Sequence, residues 1–348
     1  MTDPAPVTLR RRRLLGLGAL LLLAGVGFLA SLVLGAREVP FRTVMEALPA
    51  ILDPGAAAPA PGDLDHRVIV ELRFPRTLLA LVVGAALGTA GALIQGHMRN
   101  PLADPGILGV SAGAALAVVI GFAFFGIVAI LPTAIVAFAG AIAATAAVFA
   151  VGAVGRGPVS PLSLVLGGAA LTAVLGSVTS ALVLTDEMNL DRMRFWTAGS
   201  VAGRDLGVFW GVLPFVVLGL LVAFATGPTL NVLNLGDDTA RALGVNTTLH
   251  RSVGVIVVAA LAGVATAAAG PIGFIGLVVP HIARSLCGPD YRWLLPYSAL
   301  CGAVLLLFAD IVGRVIARPG ELQVGIVLAF VGAPFFIYLV HRRKVVMV

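Results

Sequence analysis

The chain has 348 residues, of which 59% are hydrophobic and only 11% charged, and its mean hydropathy is +1.05. Soluble chains average about 25% charged residues, so this composition excludes an ordinary water-soluble fold and indicates a membrane protein. The formal net charge of +6 does not indicate a nucleic-acid partner, because the basic residues lie between apolar runs and act there as topology signals. Cys287 and Cys301 are the only cysteines, too few for a disulfide framework.

The chain begins with a short polar stretch, residues 1–13, that ends in four consecutive arginines, Arg10 to Arg13. We interpret this stretch as a cytoplasmic basic tail. The uncharged run that follows, residues 14–34, exceeds the roughly 7–15 apolar residues of a cleaved signal peptide. It is therefore predicted to be an uncleaved first span.

Apolar runs recur along the rest of the chain, and a spanning helix needs about 20 such residues. The runs are residues 14–34, 78–95, 105–154, 159–184, 206–225, 253–283, 293–313 and 322–340. Two of them are too long for one crossing, and we expect one to break near residues 121–126 and the other at Gly270-Pro271. The sequence therefore predicts ten transmembrane helices.

Both ends of the chain are strongly basic, since Arg342, Arg343 and Lys344 lie close to the C-terminus. Positive charge stays on the cytoplasmic side, and an even number of spans places both ends on one side. The sequence thus predicts an all-α polytopic membrane protein with a transmembrane domain over residues 14–341. Residues 342–348 are predicted to form a second cytoplasmic tail.

Two Gly/Pro-interrupted segments occupy corresponding places in the two halves of the chain, residues 100–106 and residues 270–273. Interrupted spans in matching positions indicate an inverted repeat, here of two five-helix halves, and are typical of transporters. Gly84, Gly88 and Gly91 are spaced so that another helix can approach closely. This pattern favours a transporter over a simple anchor.

Several motifs of enzymes are missing or misplaced. A nucleotide-binding P-loop needs a lysine, and the only lysine is Lys344, so any ATP must be bound by another subunit. The GxSxG pattern at residues 109–113 lies in an apolar helical run, which indicates helix packing rather than a nucleophile. We predict no catalytic residue, no metal ligand and no cofactor on this chain.

Two other classes of function fit the sequence less well. A secondary transporter usually carries ionisable groups near the midplane, but Asp310 is the only acidic residue inside a predicted span and lies toward its outer end. A membrane-embedded enzyme is disfavoured by the lack of any His, Cys or acidic cluster.

The longest predicted cytoplasmic loop, residues 227–252, contains a candidate short helix over residues 238–243. Asp237 is expected to cap its start and Gly244 to end it. Ala240, Leu243 and Val245 give it an apolar side, which suits either a groove on a partner or packing against the chain itself. The residues alone leave both alternatives open.

Arg73 and Arg76 are three residues apart at the predicted outer mouth and so share a helix face. Pro75 suits the first turn of that helix. These arginines suit either contact with lipid headgroups or contact with a partner. Arg314 follows Asp310 by one helical turn, so the two can form an ion pair.

From about residue 70 to the end, the chain resembles the iron-chelate and cobalamin permeases of type II ABC importers, the FecCD type. The resemblance lies in residues 73–78, 84–95, 100–110, 195–200, 235–244, 270–284, 309–314, 320–322 and 332–336. Within the family it looks most similar to the catecholate (enterobactin-type) ferric siderophore permeases, on Leu72-Arg73-Phe74-Pro75-Arg76, Arg194-Phe195-Trp196 and Phe308-Ala309-Asp310. It departs from the commoner Glu-Leu-Pro by having Gln323 after Leu322.

The resemblance implies a permease of the bacterial cytoplasmic (inner) membrane that works with separate subunits. These are two ATP-binding cassette ATPases, which bind ATP and Mg, an external substrate-binding protein and a second permease. A heterodimer of permeases is favoured and a homodimer is possible. The implied cargo is a ferric siderophore, with haem and then cobalamin as alternatives.

The resemblance also implies roles for individual residues. Arg73, Arg76 and Arg314 would dock the binding protein. The coupling to the ATPase would use Asp237, Asp238, Ala240, Arg241, Leu243 and Gly244. The cytoplasmic gate would include Asn100, Leu102, Ser160 and Pro161, although Pro161 replaces a small hydroxyl residue that is common there. We expect His281 to bond a backbone carbonyl rather than line the path.

Overall fold

The computed structural model describes residues 6–52, 64–152 and 161–341, and all regular structure in these ranges is helical. The α-helices there are, in chain order, α1 (Pro6–Val33), α2 (Phe41–Leu52), α3 (Leu64–Arg67), α4 (Phe74–Met98), α5 (Val110–Phe125), α6 (Ile130–Gly152), α7 (Pro161–Val183), α8 (Glu187–Thr197), α9 (Leu206–Leu233), α10 (Asp237–Ala242), α11 (Thr247–Ala269), α12 (Ile275–Cys287), α13 (Tyr291–Ile316) and α14 (Val324–His341). A π-helical segment, Val68–Arg73, joins α3 to α4, and a 3-10 turn, Pro105–Leu108, precedes α5.

The predicted spans are present as separate helices. Within the described ranges, seven helices are long and apolar enough to cross a membrane by length and composition, and three shorter ones, in α5, α12 and α14, are apolar as well. These are the ten predicted spans. The two long runs break where expected, after α5 and between α11 and α12.

The basic stretch that ends in Arg10 to Arg13 is helical from Pro6 onward and belongs to α1. One predicted boundary was wrong. The loop predicted over residues 227–252 is shorter, because α9 continues to Leu233 and α11 begins at Thr247. The sequence analysis also missed α2 and α8, two shorter helices that follow α1 and α7. Asp186 caps α8 by accepting a hydrogen bond from Met188 N at 3.0 Å, a signal readable in the sequence.

The most deeply buried of the long helices are α4 and α11, and they pack against each other. The contacts around them are related by the inverted repeat. The second span of the first half, α4, packs on the fourth span of the other half, α13, while its counterpart α11 packs on α6. Likewise α4 contacts α12 and α11 contacts α5. In the core, each half therefore places its second span against the third and fourth spans of the other half.

Glycines allow this core to close. A Cβ added at Gly84, Gly88 or Gly91 would overlap a backbone carbonyl oxygen, of Gly302, Ser298 and Gly276 respectively. The close helix approach expected from this spacing is confirmed. Because backbone meets backbone, helices α12 and α13 gain van der Waals contact that larger residues would prevent.

The broken segments find hydrogen-bond partners inside the protein. Ala269 O, at the end of α11, accepts from Ser200 N at 2.6 Å, and Gly199 O accepts from Gly325 N at 3.1 Å. His281 Nε2 lies 3.0 Å from Pro101 O, as expected from the sequence. Non-helical backbone at this depth is tolerated only when it is satisfied in this way.

Candidate functional site

Four charged side chains form a network between the N-terminal end of α4 and the C-terminal end of α13. Arg76 donates from Nε to both carboxylate oxygens of Asp310 at 3.0 Å and from a terminal nitrogen to Glu321 at 2.5 Å. Arg314 pairs with the same Asp310 at 3.1 Å. Asp310 and both arginines are buried. One carboxylate therefore neutralises two buried guanidinium groups, and Glu321 supplies the second negative charge.

The same region binds the C-terminal end of α1. Arg73 donates to Leu32 O and Val33 O at 2.6 Å, and Arg314 donates to Ser31 O at 3.0 Å and to Ser31 Oγ at 2.6 Å. The last carbonyls of a helix have no intrahelical partner. The two arginines supply these partners and so fasten the first span to the core.

The structure thus brings together the three arginines assigned to docking. The pairing of Asp310 with Arg314 is confirmed, whereas docking of a binding protein stays a prediction. In this conformation Arg73, Arg76 and Arg314 each donate hydrogen bonds to groups within the chain. The sequence analysis missed Glu321, which lies far from Arg76 along the chain; its side chain is 37% exposed.

At the opposite end of the molecule, the predicted short helix is present as α10, but Asp237 does not cap it. The N-cap position belongs to Gly236, and no side chain caps the helix there. Asp237 instead pairs with Arg99, which follows α4, and with Arg251 of α11, the latter at 2.8 Å. The cap prediction was wrong because these two cations compete successfully for the carboxylate.

The two sides of α10 differ in exposure. Ala240 is fully buried against the chain, so it is not available to a partner. Leu243, at the end of the helix, is 62% exposed, and Asp238 forms an exposed ion pair with Arg241 at 3.3 Å. Gly244 has a positive φ of 81° and ends the helix as expected.

The residues assigned to the gate are only partly described. Asn100 Oδ1 accepts a hydrogen bond from Leu102 N at 2.9 Å, which fixes the turn after α4. Pro161 is the first residue of α7. Ser160 lies outside the described residues. Within the described ranges, no group of three His, Cys, Asp or Glu side chains is placed to hold a metal ion.

The known proteins that this chain resembles in sequence are permeases of transport systems. A profile of the FecCD transport family matches residues 21–342. The ferric enterobactin transport system permease protein FepD of Escherichia coli (strain K12) is 45% identical over 331 residues, which cover 95% of this chain and 96% of that protein. The hemin transport system permease protein HmuU of Yersinia pestis is 38% identical over 337 residues, covering 94% and 96%.

A solved inward-facing structure of a metal-chelate type ABC transporter has the same fold, with a TM-score of 0.79 at 29% identity. The two structures match over 94% of this chain and 98% of that chain. The family profile and these relatives extend over nearly the whole sequence. The chain therefore belongs to the FecCD transport family and is an ABC importer permease for iron chelates, haem or cobalamin.

Proposed function

We propose that this permease carries a ferric siderophore of the catecholate type into the cytoplasm. The observation that carries the proposal is its 45% identity, over nearly its whole length, to a ferric enterobactin permease. Haem is the alternative cargo, favoured by the 38% identity to a hemin permease. Cobalamin is a third candidate within the family.

Uptake into proteoliposomes tests this proposal. The permease, reconstituted with its partner subunits, should accumulate an iron(III) catecholate chelate when ATP is supplied on the side of the ATPase, and the binding protein should stimulate ATP hydrolysis. Parallel assays with haem and cobalamin serve as controls for cargo. ATP-dependent uptake of haem alone would contradict the siderophore assignment, and uptake that follows an ion gradient without ATP would contradict the importer itself.

ATP and Mg would bind to a separate ATPase, because this chain lacks a P-loop lysine in any suitable position. We assign the contact with that subunit to α10 and the residues that end it, Asp237, Asp238, Arg241, Leu243 and Gly244. Exposure of Leu243 on a polar helix supports the assignment, since an apolar side chain of this kind suits a groove on a partner.

Replacing Leu243 with Asp should detach the ATPase. A charge placed in an apolar contact is strongly destabilising when it is buried without a partner, because a buried carboxylate costs more than the roughly 2–7 kcal/mol of an unpaired neutral polar group. Co-purification of the ATPase with the tagged permease measures the effect. Leu184→Asp is the matched control, because Leu184 is equally available, at 78% exposure, on the opposite end of the molecule. Normal co-purification of the Leu243→Asp variant would refute this contact.

The outer arginines Arg73, Arg76 and Arg314 remain our candidates for docking the binding protein. Their burial implies that docking proceeds by exchange: a carboxylate of the binding protein replaces Glu321, the exposed partner of Arg76. Glu321→Gln should then strengthen capture of the binding protein, and capture should weaken as salt rises. Unchanged capture in both conditions would remove these arginines from the docking surface.

We also propose how the chain is oriented in the membrane and how it assembles. Both ends of the chain, residues 1–13 and 342–348, would lie in the cytoplasm of a bacterium, with residues 14–341 as the permease domain. The gate, with Asn100, Leu102, Ser160 and Pro161, would then face the cytoplasm, and a second permease would complete the path. Cysteine labelling should reach residues 186–192 from outside and residues 237–244 from inside; labelling of both from one side would contradict this orientation.

A further inference from the structure

A cavity of about 480 Å³ opens at the end of the molecule that carries the arginine network. Its lining includes Phe122, Thr133, Arg192, Trp196, Arg204 and Gln323. These residues come from the ends of α5, α6 and α8, from the loop before α9 and from the residue before α14. The volume lies in the range of about 300–1,000 Å³ that is usual for small-molecule sites. The cavity is separate from the sites described above, because no residue of the ion-pair network or of α10 lines it.

Two cations line the cavity without a neutralising partner. Among the described residues, neither Arg192 nor Arg204 has a carboxylate oxygen within 4.0 Å, whereas Arg194, on the same helix as Arg192, pairs with Asp191 at 3.3 Å. Charged groups that are partly removed from water are normally paired. An anion is therefore the ligand that the cavity would accept.

Arg204 carries a further sign of a missing acceptor. Its Nε is buried and has no hydrogen-bond partner among the described residues. Burial lowers the pKa of Arg204, and the neighbouring Asp205 offsets part of that effect. The Asp205 carboxylate itself accepts from Val208 N at 3.0 Å, where it caps α9. A buried donor left unpaired is costly, so an acceptor brought by a ligand would stabilise this arrangement.

Three aromatic side chains, Phe122, Phe195 and Trp196, also line the cavity, among aliphatic and polar residues. The Arg192 guanidinium lies over the Phe122 ring, 5.8 Å from its centroid, and Trp196 is buried beside them. Guanidinium and indole groups both stack on planar rings. A ligand that combines negative charge with planar aromatic groups can pair with the two arginines and stack on the aromatic side chains. A lipid headgroup supplies only the charge.

The cavity also touches the broken segments of the fold. Ser200, another lining residue, donates its backbone N–H to Ala269 O at the end of α11. The adjacent Gly199 O accepts from Gly325 N of α14. A molecule held here would therefore contact elements that join α8, α11 and α14.

We propose that this cavity is an outer subsite for the cargo, and that it takes an anionic chelate through one planar aromatic arm, of the kind found in iron(III) catecholates. The inference rests on the proposed function and deepens it. Arg192 and Arg204 neutralise the charge, Phe122 and Trp196 contact the ring, and the remainder of the chelate extends out of the cavity toward the second permease.

Equilibrium binding to the full-length permease in nanodiscs of neutral phosphatidylcholine tests the subsite. The probes are an iron(III) tris-catecholate and an iron(III) trihydroxamate without rings, and the readout is quenching of tryptophan fluorescence. The double variant Arg192→Gln/Arg204→Gln should bind the catecholate about tenfold more weakly, since each exposed charge pair contributes modestly. Arg194→Gln, outside the cavity and on the same helix, should bind as the wild type does.

A second pair of variants and a change of lipid distinguish cargo binding from misfolding and from lipid binding. If the double Gln variant does not fold, Arg192→Lys/Arg204→Lys, which keeps both charges, is compared with Arg192→Gln alone, and the former should bind more tightly. Loss of catecholate binding on adding phosphatidylglycerol to the nanodiscs would reassign the cavity to lipid and overturn the inference. So would equal binding by wild type and variant. Because uptake is measured separately, catecholate uptake with unchanged variant binding would overturn the subsite and leave the proposed function standing.

Discussion

Replacing Asp310 with Ala should destabilise the folded permease by about 3–5 kcal/mol, the cost typical of removing one partner from a buried ion pair. Asp310 neutralises Arg76 and Arg314 at once, with oxygen to nitrogen distances of 2.8 Å and 3.1 Å. Its removal leaves two buried guanidinium groups close to each other. Arg314 also binds the end of α1, so the first span should loosen with it. A thermal-stability scan of the purified protein measures the effect.

Asp238→Ala is the matched control for this prediction. Asp238 also pairs with an arginine, Arg241, but its side chain is fully exposed. Ion pairs in water contribute little, so this variant should melt as the wild type does. Equal melting temperatures for Asp310→Ala and the wild type would show that the network around Asp310 does not stabilise the fold.

The burial of this network changes how docking must be tested. Reversal of Arg73, Arg76 and Arg314 to Glu, an obvious experiment from the sequence, would disrupt Asp310 and the end of α1 as well. Loss of transport in that variant would not separate docking from misfolding. Glu321→Gln avoids the difficulty, because it changes the one exposed member of the network.

Replacing Gly91 with Leu should prevent recovery of folded permease. A Cβ at this position would overlap the carbonyl oxygen, the Cα and the carbonyl carbon of Gly276, all backbone atoms that no rotamer change can move. Overpacking a core usually costs about 1–3 kcal/mol, and a clash with backbone belongs at or above the top of that range. The yield of monodisperse protein after detergent extraction measures the outcome.

The control for Gly91 is Gly176→Leu. Nothing lies within 4 Å of a Cβ built at Gly176, on α7. The added side chain is apolar and would point into open space, so the yield should stay at the wild-type level. If Gly91→Leu also gave normal yield and normal melting, α4 and α12 would not be in the close contact described.

The spans could be predicted from the sequence because the bilayer imposes a length and an apolar composition on each crossing. Their ends could not. Residues after Gly227 look like a loop, with Pro228 and Asn231, yet α9 continues through them. Asn231 explains this: its amide donates to Asp290 at 2.6 Å and accepts from Tyr291 N at 2.9 Å. The polar residue is satisfied by a distant helix, which no local pattern reveals.

The candidate sites show the same division. The pairing of Asp310 with Arg314 was predictable, because residues four apart on a helix are neighbours. The partners of Arg76 lie 234 and 245 residues away, so only the fold brings them together. The helix α10 was predicted from Asp237 as its cap, from Gly244 at its end and from an apolar side in a polar loop. Asp237 does not cap it, because its pairing with Arg99 and Arg251 depends on three separate segments.

The position of Asp237 has a mechanical consequence. One carboxylate is held by Arg99, after the C-terminal end of α4, and by Arg251, near the N-terminal end of α11. These are the two most deeply buried long helices, and Arg99 also donates to Leu233 O at the end of α9. A displacement of α10 would therefore be transmitted directly to the most deeply buried helices of the molecule. Since α4 and α11 are packed together, we expect them to move as one rigid unit. The less buried helices α1 and α7 should follow that movement.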